Sequence, residues 1–181
     1  KDLTVVADVK CSQILFDNLK TNNINILMSK TGHSLIKKKI KETNAHIAGE
    51  MSGHIFFNHD YYGFDDAIFA AFKFLEYLTA QDEKLSDIVN DYLIYSSSPE
   101  IKLYCNENVK FKNIDLIINK IKENPQNLIL NELDGIRVES KDFWYLIRAS
   151  NTQNCLVFRL ECKKNLNFKE GKGECVEYTL Y

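Results

Sequence analysis

No stretch of this sequence is apolar for long enough to cross a bilayer, and none has the make-up of a secretory signal peptide. An excess of one charge is lacking too. With 23 Lys and Arg against 25 Asp and Glu, the net charge is -2 at pH 7, so no global field draws the chain to nucleic acid or to a membrane surface. The five cysteines, Cys11, Cys105, Cys155, Cys162 and Cys175, are scattered, odd in number and free of any CxxC spacing. That pattern argues against a disulfide scaffold or a zinc site and points to a reducing cytoplasm. There is no Walker lysine in a Gly-rich run, which excludes a nucleotide P-loop. The first residue is Lys1 rather than Met, as in a processed chain or a piece of a longer one. What remains is 181 residues, 45% hydrophobic and 27% charged. This is an ordinary globular balance, sufficient for one large domain or two small ones.

The first half alternates strands with helices. Leu3–Val9 is apolar and short, as a buried strand is. Ser12 caps a helix whose inward residues read as Ile14, Leu15 and Leu19. Asn22 and Asn23 turn the chain into a second strand, Ile24–Met28. Gly32 permits a sharp turn before a helix that buries Leu35, Ile36 and Ile40, with Lys37, Lys38, Lys39 and Lys41 on a solvated face. A third strand near His46–Ala48 leads into "GEMSGHIFF" (Gly49–Phe57), which contains a further strand at Ile55–Asn58. Asp65 or Asp66 starts a long amphipathic helix with Ile68, Phe69, Phe72, Leu75 and Leu78 inward. The pattern predicts an α/β unit over residues 1–93 with a mainly parallel sheet. In such sheets ligand loops leave the carboxyl ends of the strands, where Lys10, His33 and Glu50 fall.

"IYSSSPE" (Ile94–Glu100) reads as a linker or an entry turn. Beyond it, residues 94–165 read as a small α+β domain. A strand at Ile101–Cys105 precedes a helix at Ile114–Ile121 that Pro125 ends. Strands follow at Leu128–Leu130, Gly135–Ser140, Phe143–Ala149 and Leu156–Cys162, with a hairpin turn at Ser140-Lys141-Asp142. Residues 166–181 show no core pattern after Phe168 and carry no assigned role.

Two polar clusters carry chemistry. In "RASNT", Arg148 offers a planar fork for phosphate, and Ser150, Asn151 and Thr152 add donors; the same residues also suit a plain surface turn. In "GEMSGH", Glu50 and Ser52 stand two residues apart, so an extended loop would point both toward adjacent sugar hydroxyls. His54 titrates near neutral pH and can move a proton. The plainer alternative is a solvated Glu50, a turn histidine at His54, a histidine near a helix start at His33 and an exposed lysine at Lys10. His46 and His59 read as structural or surface residues. A zinc reading of His33, Glu50 and His54 lacks compact ligand spacing, and no metal site is expected in the chain.

Six stretches occur in order: "DVKCS" (Asp8–Ser12), "KTGHSLIK" (Lys30–Lys37), "GEMSGHIFF", "GFDDAIFAA" (Gly63–Ala71), "DGIRVE" (Asp134–Glu139) and "RASNTQNCLVFRLE" (Arg148–Glu161). Over roughly Leu3 to Lys164 the sequence resembles the C-terminal half of a phosphohexomutase, the bacterial phosphomannomutase/phosphoglucomutase type of the α-D-phosphohexomutase superfamily. The "GEMSGH" form favours that type over relatives acting on amino sugars. The resemblance implies four domains around one cleft, with this chain supplying most of the third and the fourth. It implies that Glu50 and Ser52 read sugar hydroxyls, that His33 faces substrate, and that Lys10 and His54 lie near the reacting groups as candidates for proton transfer. It also implies that Arg148, Ser150, Asn151 and Thr152 grip the phosphate that is not transferred, on a last domain that closes over the substrate.

The family's phosphoserine loop and its Mg²⁺ loop, of "DGDGDR" type, are absent from the chain, and Gln153-Asn154 replaces the usual proline after Thr152. The resemblance therefore implies an isomerase of mannose or glucose 6-phosphate and 1-phosphate. It would work through a phosphoserine and a hexose 1,6-bisphosphate, with Mg²⁺ held outside this chain and the N-terminal domains as partners. The chain alone is expected to be inactive. A different class of reading is a non-catalytic sugar-phosphate-binding module. An independent hydrolase built on Glu50 and His54 lacks an activated nucleophile.

Overall fold

The fold was established from a computed structural model, which describes residues 3–125 and 128–164. Residues 166–181 lie outside the described residues. The chain divides into two compact units, Lys1–Tyr92 and Leu93–Tyr181.

In the first unit the strand–helix alternation predicted from sequence is present: β1 (Thr4–Asp8), α1 (Gln13–Thr21), β2 (Asn25–Ser29), α2 (His33–Thr43), β3 (Ile47–Gly49), β4 (Ile55–Phe57), α3 (Ala67–Thr79) and α4 (Leu85–Asn90). The sheet order is β2-β1-β3-β4. β1 runs parallel to β2 and β3, and β4 returns antiparallel to β3. Successive residues of a strand face opposite sides, and the apolar residues of β1 supply both. Val6 packs with Ile36, Ile40, Ala45, Ala48 and Phe56 on the α2 side. Ala7 packs with Cys11 and Phe16 on the α1 side. Ser12 caps α1 by accepting the Ile14 N–H. Because β1, β2 and β3 are parallel, the segments that follow them leave from one edge of the sheet.

The helix faces differ from the sequence reading in three places. In α1 the buried residue is Phe16, while Leu15 is exposed; in α2, Ile36 and Ile40 are buried and Leu35 is exposed. In α3, Ile68 is 73% and Phe72 68% exposed, and Leu75 is exposed as well. The reason lies in what α3 meets. It packs against the three-residue edge strand β4, so one row suffices: Phe69 stacks on Tyr61 at 4.0 Å between ring centroids and meets Phe57 edge-on at 5.3 Å. Helix α4 was not foreseen.

The second unit holds β5 (Tyr95–Ser97), β6 (Ile101–Tyr104), α5 (Glu107–Glu123), β7 (Ile129–Asn131), β8 (Ile136–Glu139), β9 (Phe143–Ala149) and β10 (Cys155–Lys163). Its sheet is antiparallel throughout, in the order β5-β10-β9-β8-β7, with β6 also paired to β10. The α+β expectation holds, but "IYSSSPE" is no linker. Tyr95–Ser97 pairs with Glu161–Lys163, and the Ser98 hydroxyl accepts the Leu160 N–H. The serines serve the sheet instead of loosening the chain. The hairpin turn falls where expected, with Ser140 Oγ accepting the Asp142 and Phe143 N–H groups.

Helix α5 covers one face of this sheet, Ile114 packing with Ile136, Val138, Tyr145, Ile147 and Leu156. The alternate residues on the other face form a buried polar cluster. The Arg137 guanidinium lies 3.7 Å from the Trp144 ring centroid, and Glu161 accepts from Trp144 Nε1 at 2.8 Å and from Arg159 at 2.9 Å.

Asp66 supplies the α3 cap, its Oδ1 accepting the Ile68 and Phe69 N–H groups and its Oδ2 the Tyr61 hydroxyl. The Phe69 N–H, then the Tyr61 hydroxyl, hold its carboxyl below the usual range. A lowered folded value stabilises fully above the unfolded one and fades as pH falls through the folded one. Asp66→Ala is therefore expected to lower the exchange protection of Ile68 and Phe69 relative to their intrinsic rates, as acidification does in the native chain, with Val6 and Ile36 still protected. Unchanged exchange at the first turn of α3 would contradict the cap.

Candidate functional site

In the first unit the polar loops at the carboxyl edge of the sheet meet around one side chain. Asp8, the last residue of β1, is fully buried. Its Oδ1 accepts from Cys11 Sγ at 3.1 Å and from the Met51 N–H at 3.2 Å, and its Oδ2 from the Thr31 hydroxyl at 3.1 Å. One carboxylate thus fastens the segments after β1, β2 and β3, which carry Lys10, His33 and Glu50. A buried carboxylate is costly without donors, and these three supply them.

Glu50 is buried, not solvated, and its Oε1 accepts the Gly32 N–H at 2.6 Å at the start of α2. A carboxylate suits that helix end. The segment after it is a turn instead of the extended loop expected. Gly53 donates to the Glu50 carbonyl at φ +92°, and Glu50 N–H donates to the His54 carbonyl. The two-residue alternation argument therefore does not apply: Glu50 turns inward, while Ser52 and His54 are exposed. Lys10, exposed on the plainer alternative, is buried, and His33 is exposed at the first residue of α2.

His54 Nδ1 lies 2.5 Å from Asp65 Oδ2. The two come together because Asp65 bridges to Phe56 across the antiparallel return. An ionised carboxylate only accepts, so Nδ1 carries the hydrogen of this contact, and in the neutral ring Nε2 is then the acceptor. The acidic pair divides its work: Asp66 caps the helix and Asp65 orients the imidazole.

In the second unit Arg148, near the end of β9, is buried. Its Nε donates to Asp134 Oδ2 at 3.0 Å, and its Nη2 is buried without an acceptor. Asp134 can reach it because Gly135, at φ +74°, lets the β7–β8 turn press on β9. A Cβ there would sit 2.2 Å from the Ile147 carbonyl oxygen. This explains "DGIRVE" physically. After Arg148, the Ser150 hydroxyl accepts the Thr152 and Gln153 N–H groups. Ser150 is buried within the turn, whereas Asn151, Thr152, Gln153 and Asn154 are exposed.

A profile of the phosphoglucomutase/phosphomannomutase alpha/beta/alpha domain III matches residues 1–95. The chain belongs to the phosphoglucomutase/phosphomannomutase family. It is 38% identical over 168 residues to a phosphomannomutase/phosphoglucomutase of Pseudomonas putida, covering 93% of this chain and 36% of that protein. To a phosphoglucomutase of Neisseria meningitidis it is 40% identical over 158 residues, covering 87% and 34%. A phosphoglucomutase/phosphomannomutase family structure from Burkholderia thailandensis superposes with a TM-score of 0.84 at 34% identity, over 97% of this chain and 37% of that one. The chain thus spans about a third of the length of these relatives. The resemblance read from the sequence and the mixed α/β fold class it implied both hold.

The structure gathers Lys10, His33, Glu50, Ser52 and His54 onto three segments at one sheet edge, and Arg148, Ser150, Asn151 and Thr152 into one turn of the other unit. Sequence reasoning placed none of Asp8, Asp65 and Asp134 in the site, and offered Asp65 only as an alternative to Asp66 at the start of a helix. Asp8 had one available signal, a lone acid ending an apolar strand.

Asp8→Ala removes the acceptor of the Met51 N–H, the Cys11 thiol and the Thr31 hydroxyl, so it is expected to lower stability by about 2–3 kcal/mol. Denaturant unfolding checks this, and a loss within experimental error would remove Asp8 from its central place. Nitrogen NMR of the His54 ring above neutral pH is expected to show hydrogen on Nδ1 in the native chain and a mixture of tautomers in Asp65→Ala. Hydrogen on Nε2 in the native chain would contradict the pairing.

Proposed function

We propose that this chain supplies sugar and distal-phosphate recognition to a phosphohexomutase that interconverts mannose or glucose 6-phosphate and 1-phosphate. The observation that carries the reading is Arg148, a buried guanidinium fixed by Asp134 at one nitrogen and lacking an acceptor at another. An unsatisfied buried donor is costly. A phosphate oxygen bound at the turn relieves that cost by accepting from that nitrogen. Asn151 and Thr152 then add donors from the turn, and Ser150 holds its shape.

In the first unit Glu50 and Ser52 read sugar hydroxyls, Glu50 already oriented by Gly32. His33, exposed beside that contact, faces the same ligand. His54, with Nε2 bare, takes a proton from a sugar hydroxyl as it attacks phosphorus or returns one to a leaving oxygen, and Lys10 stabilises charge near the same groups. The step itself is phosphoryl transfer from a phosphoserine to the sugar and, through hexose 1,6-bisphosphate, back. Both the serine and the ligands of Mg²⁺ belong to the N-terminal part of the enzyme. Among the described residues no group of three His, Cys, Asp or Glu side chains gathers as a metal site, so no step is assigned to a metal here. On this reading the chain alone is inactive and the enzyme is cytoplasmic. Among the described residues Cys11, Cys105, Cys155 and Cys162 form no disulfide, in keeping with a reducing compartment, and no described helix is long and apolar enough to cross a membrane.

A second reading, a sugar-phosphate-binding module without catalysis, is favoured by one fact. Each loop is held by contacts inside its own unit, so recognition does not itself call for further domains.

Within the full-length polypeptide, Arg148→Ala is expected to lower kcat/KM roughly tenfold to a hundredfold, the value of a charge-assisted hydrogen bond of about 1.5–3 kcal/mol. Steady-state kinetics on glucose 1-phosphate checks it, and an unchanged kcat/KM would overturn the assignment of the distal phosphate to this turn.

A further inference from the structure

Lys110 is buried, and its position breaks two rules at once. It stands in the first turn of α5, where the helix dipole disfavours a cation. It also carries its charge into the interior, where a charge is costly unless fully partnered. No reading of the sequence singled it out, and the phosphate contacts described above do not use it. Local rules broken together mark positions kept for something other than local stability.

Its partners indicate what that is. The Lys110 ammonium donates to the Ser150 carbonyl at 3.0 Å, the Gln153 carbonyl at 3.2 Å and the Glu107 carboxylate at 3.2 Å. The ammonium has three hydrogens and three acceptors. Two of those acceptors are backbone carbonyls of the turn that follows Arg148. Across a trans peptide the N–H points opposite to the C=O, and there is no cis peptide bond among the described residues. Drawing the Ser150 and Gln153 carbonyls toward Lys110 therefore turns the Asn151 and Asn154 N–H groups away from it. The remaining amides of the turn are committed inward: Thr152 and Gln153 donate to Ser150 Oγ, and Ser150 N–H donates to the Cys155 carbonyl. The two amides left over are the two that the ammonium turns outward. Both belong to exposed residues.

We infer that Lys110 is a positioning residue for an anion: from beneath the turn it fixes two carbonyls so that the Asn151 and Asn154 N–H groups face outward to receive phosphate oxygens. Its charge adds attraction for the same ligand. This rests on the reading of the Arg148 turn as a phosphate site.

The test uses the 181-residue chain, nitrogen-15 labelled, as native, Lys110→Met and Lys110→Arg. Met keeps the length of the stem and removes the charge; Arg restores a charged donor. Two quantities are read, amide exchange along residues 143–158 and the affinity for inorganic phosphate from amide shifts. In Lys110→Met, exchange at Ser150, Thr152 and Gln153, whose N–H groups are bonded within the turn, is expected to rise by about tenfold or more, as for the loss of a charge-assisted hydrogen bond. Tyr145 and Ile147 are expected to stay protected, phosphate affinity to fall by a similar factor, and Lys110→Arg to recover most of both. A folded Lys110→Met with native exchange and native phosphate affinity overturns the proposal. If the turn loosens in Lys110→Met but the native chain binds no phosphate, the structural role of Lys110 stands and the phosphate reading of the turn fails with the positioning claim. If Lys110→Met does not fold, the native chain decides. Scalar couplings from the Lys110 ammonium nitrogen to the Ser150 and Gln153 carbonyl carbons are expected, and their absence overturns the proposal.

Discussion

The carboxylate of Asp8 is the constraint on which the first unit's chemistry depends. β1 is a short apolar strand at the middle of a parallel arrangement, and its last residue is a fully buried acid. A charge in that place persists only if donors are brought to it. The donors are a thiol one loop away, a hydroxyl from the loop after β2 and a main-chain N–H from the turn after β3. Satisfying one carboxylate therefore fastens together three segments that leave the same edge of the parallel sheet. The residues proposed to read a sugar ring ride on those segments, and Glu50 adds its own tie to Gly32.

The second unit solves the same problem with the opposite sign. There a buried ammonium gathers backbone carbonyls, and a buried guanidinium is held by Asp134 across a glycine that no larger residue can replace. Both loops are thus shaped before any ligand arrives, at the cost of burying charge. Preorganisation of this kind lets binding energy go to recognition instead of to ordering the loop. It suits a ligand that must be held by generic hydroxyl and phosphate contacts in more than one orientation.

Much of this was legible in the sequence. Strand–helix alternation gave the first unit's element order, and the hairpin at Ser140–Asp142 was readable because serine and aspartate make that turn by a known hydrogen-bond pattern. The failures have physical causes. Leu15 and Leu35 were placed inward because a helical stripe fixes its centre only to within a residue. The exposed row of α3 was misread because period reveals an apolar face and not what covers it. The serines of "IYSSSPE" look like linker residues by composition, yet their backbone completes a sheet edge. Glu50 and Ser52 were expected to point together because alternation holds only in extended chain, and Gly53 breaks it. Lys110 was invisible because "VKFKN" reads as an ordinary charged helix surface. Its burial comes from a turn 40 residues away, which no local pattern announces.

The central claim is that each unit presents one preformed recognition loop, for a sugar and for a phosphate. The most direct test is a map of amide shifts as the chain is titrated with glucose 1-phosphate and, separately, with inorganic phosphate. The account predicts that inorganic phosphate moves Asn151 and Asn154 and leaves residues 50–54 unchanged. Glucose 1-phosphate should move the Arg148 turn, and the sugar's own effect should appear at Gly32 and at Met51–His54. Shifts confined to other surfaces, or the same response to both ligands with the Arg148 turn silent, would contradict it.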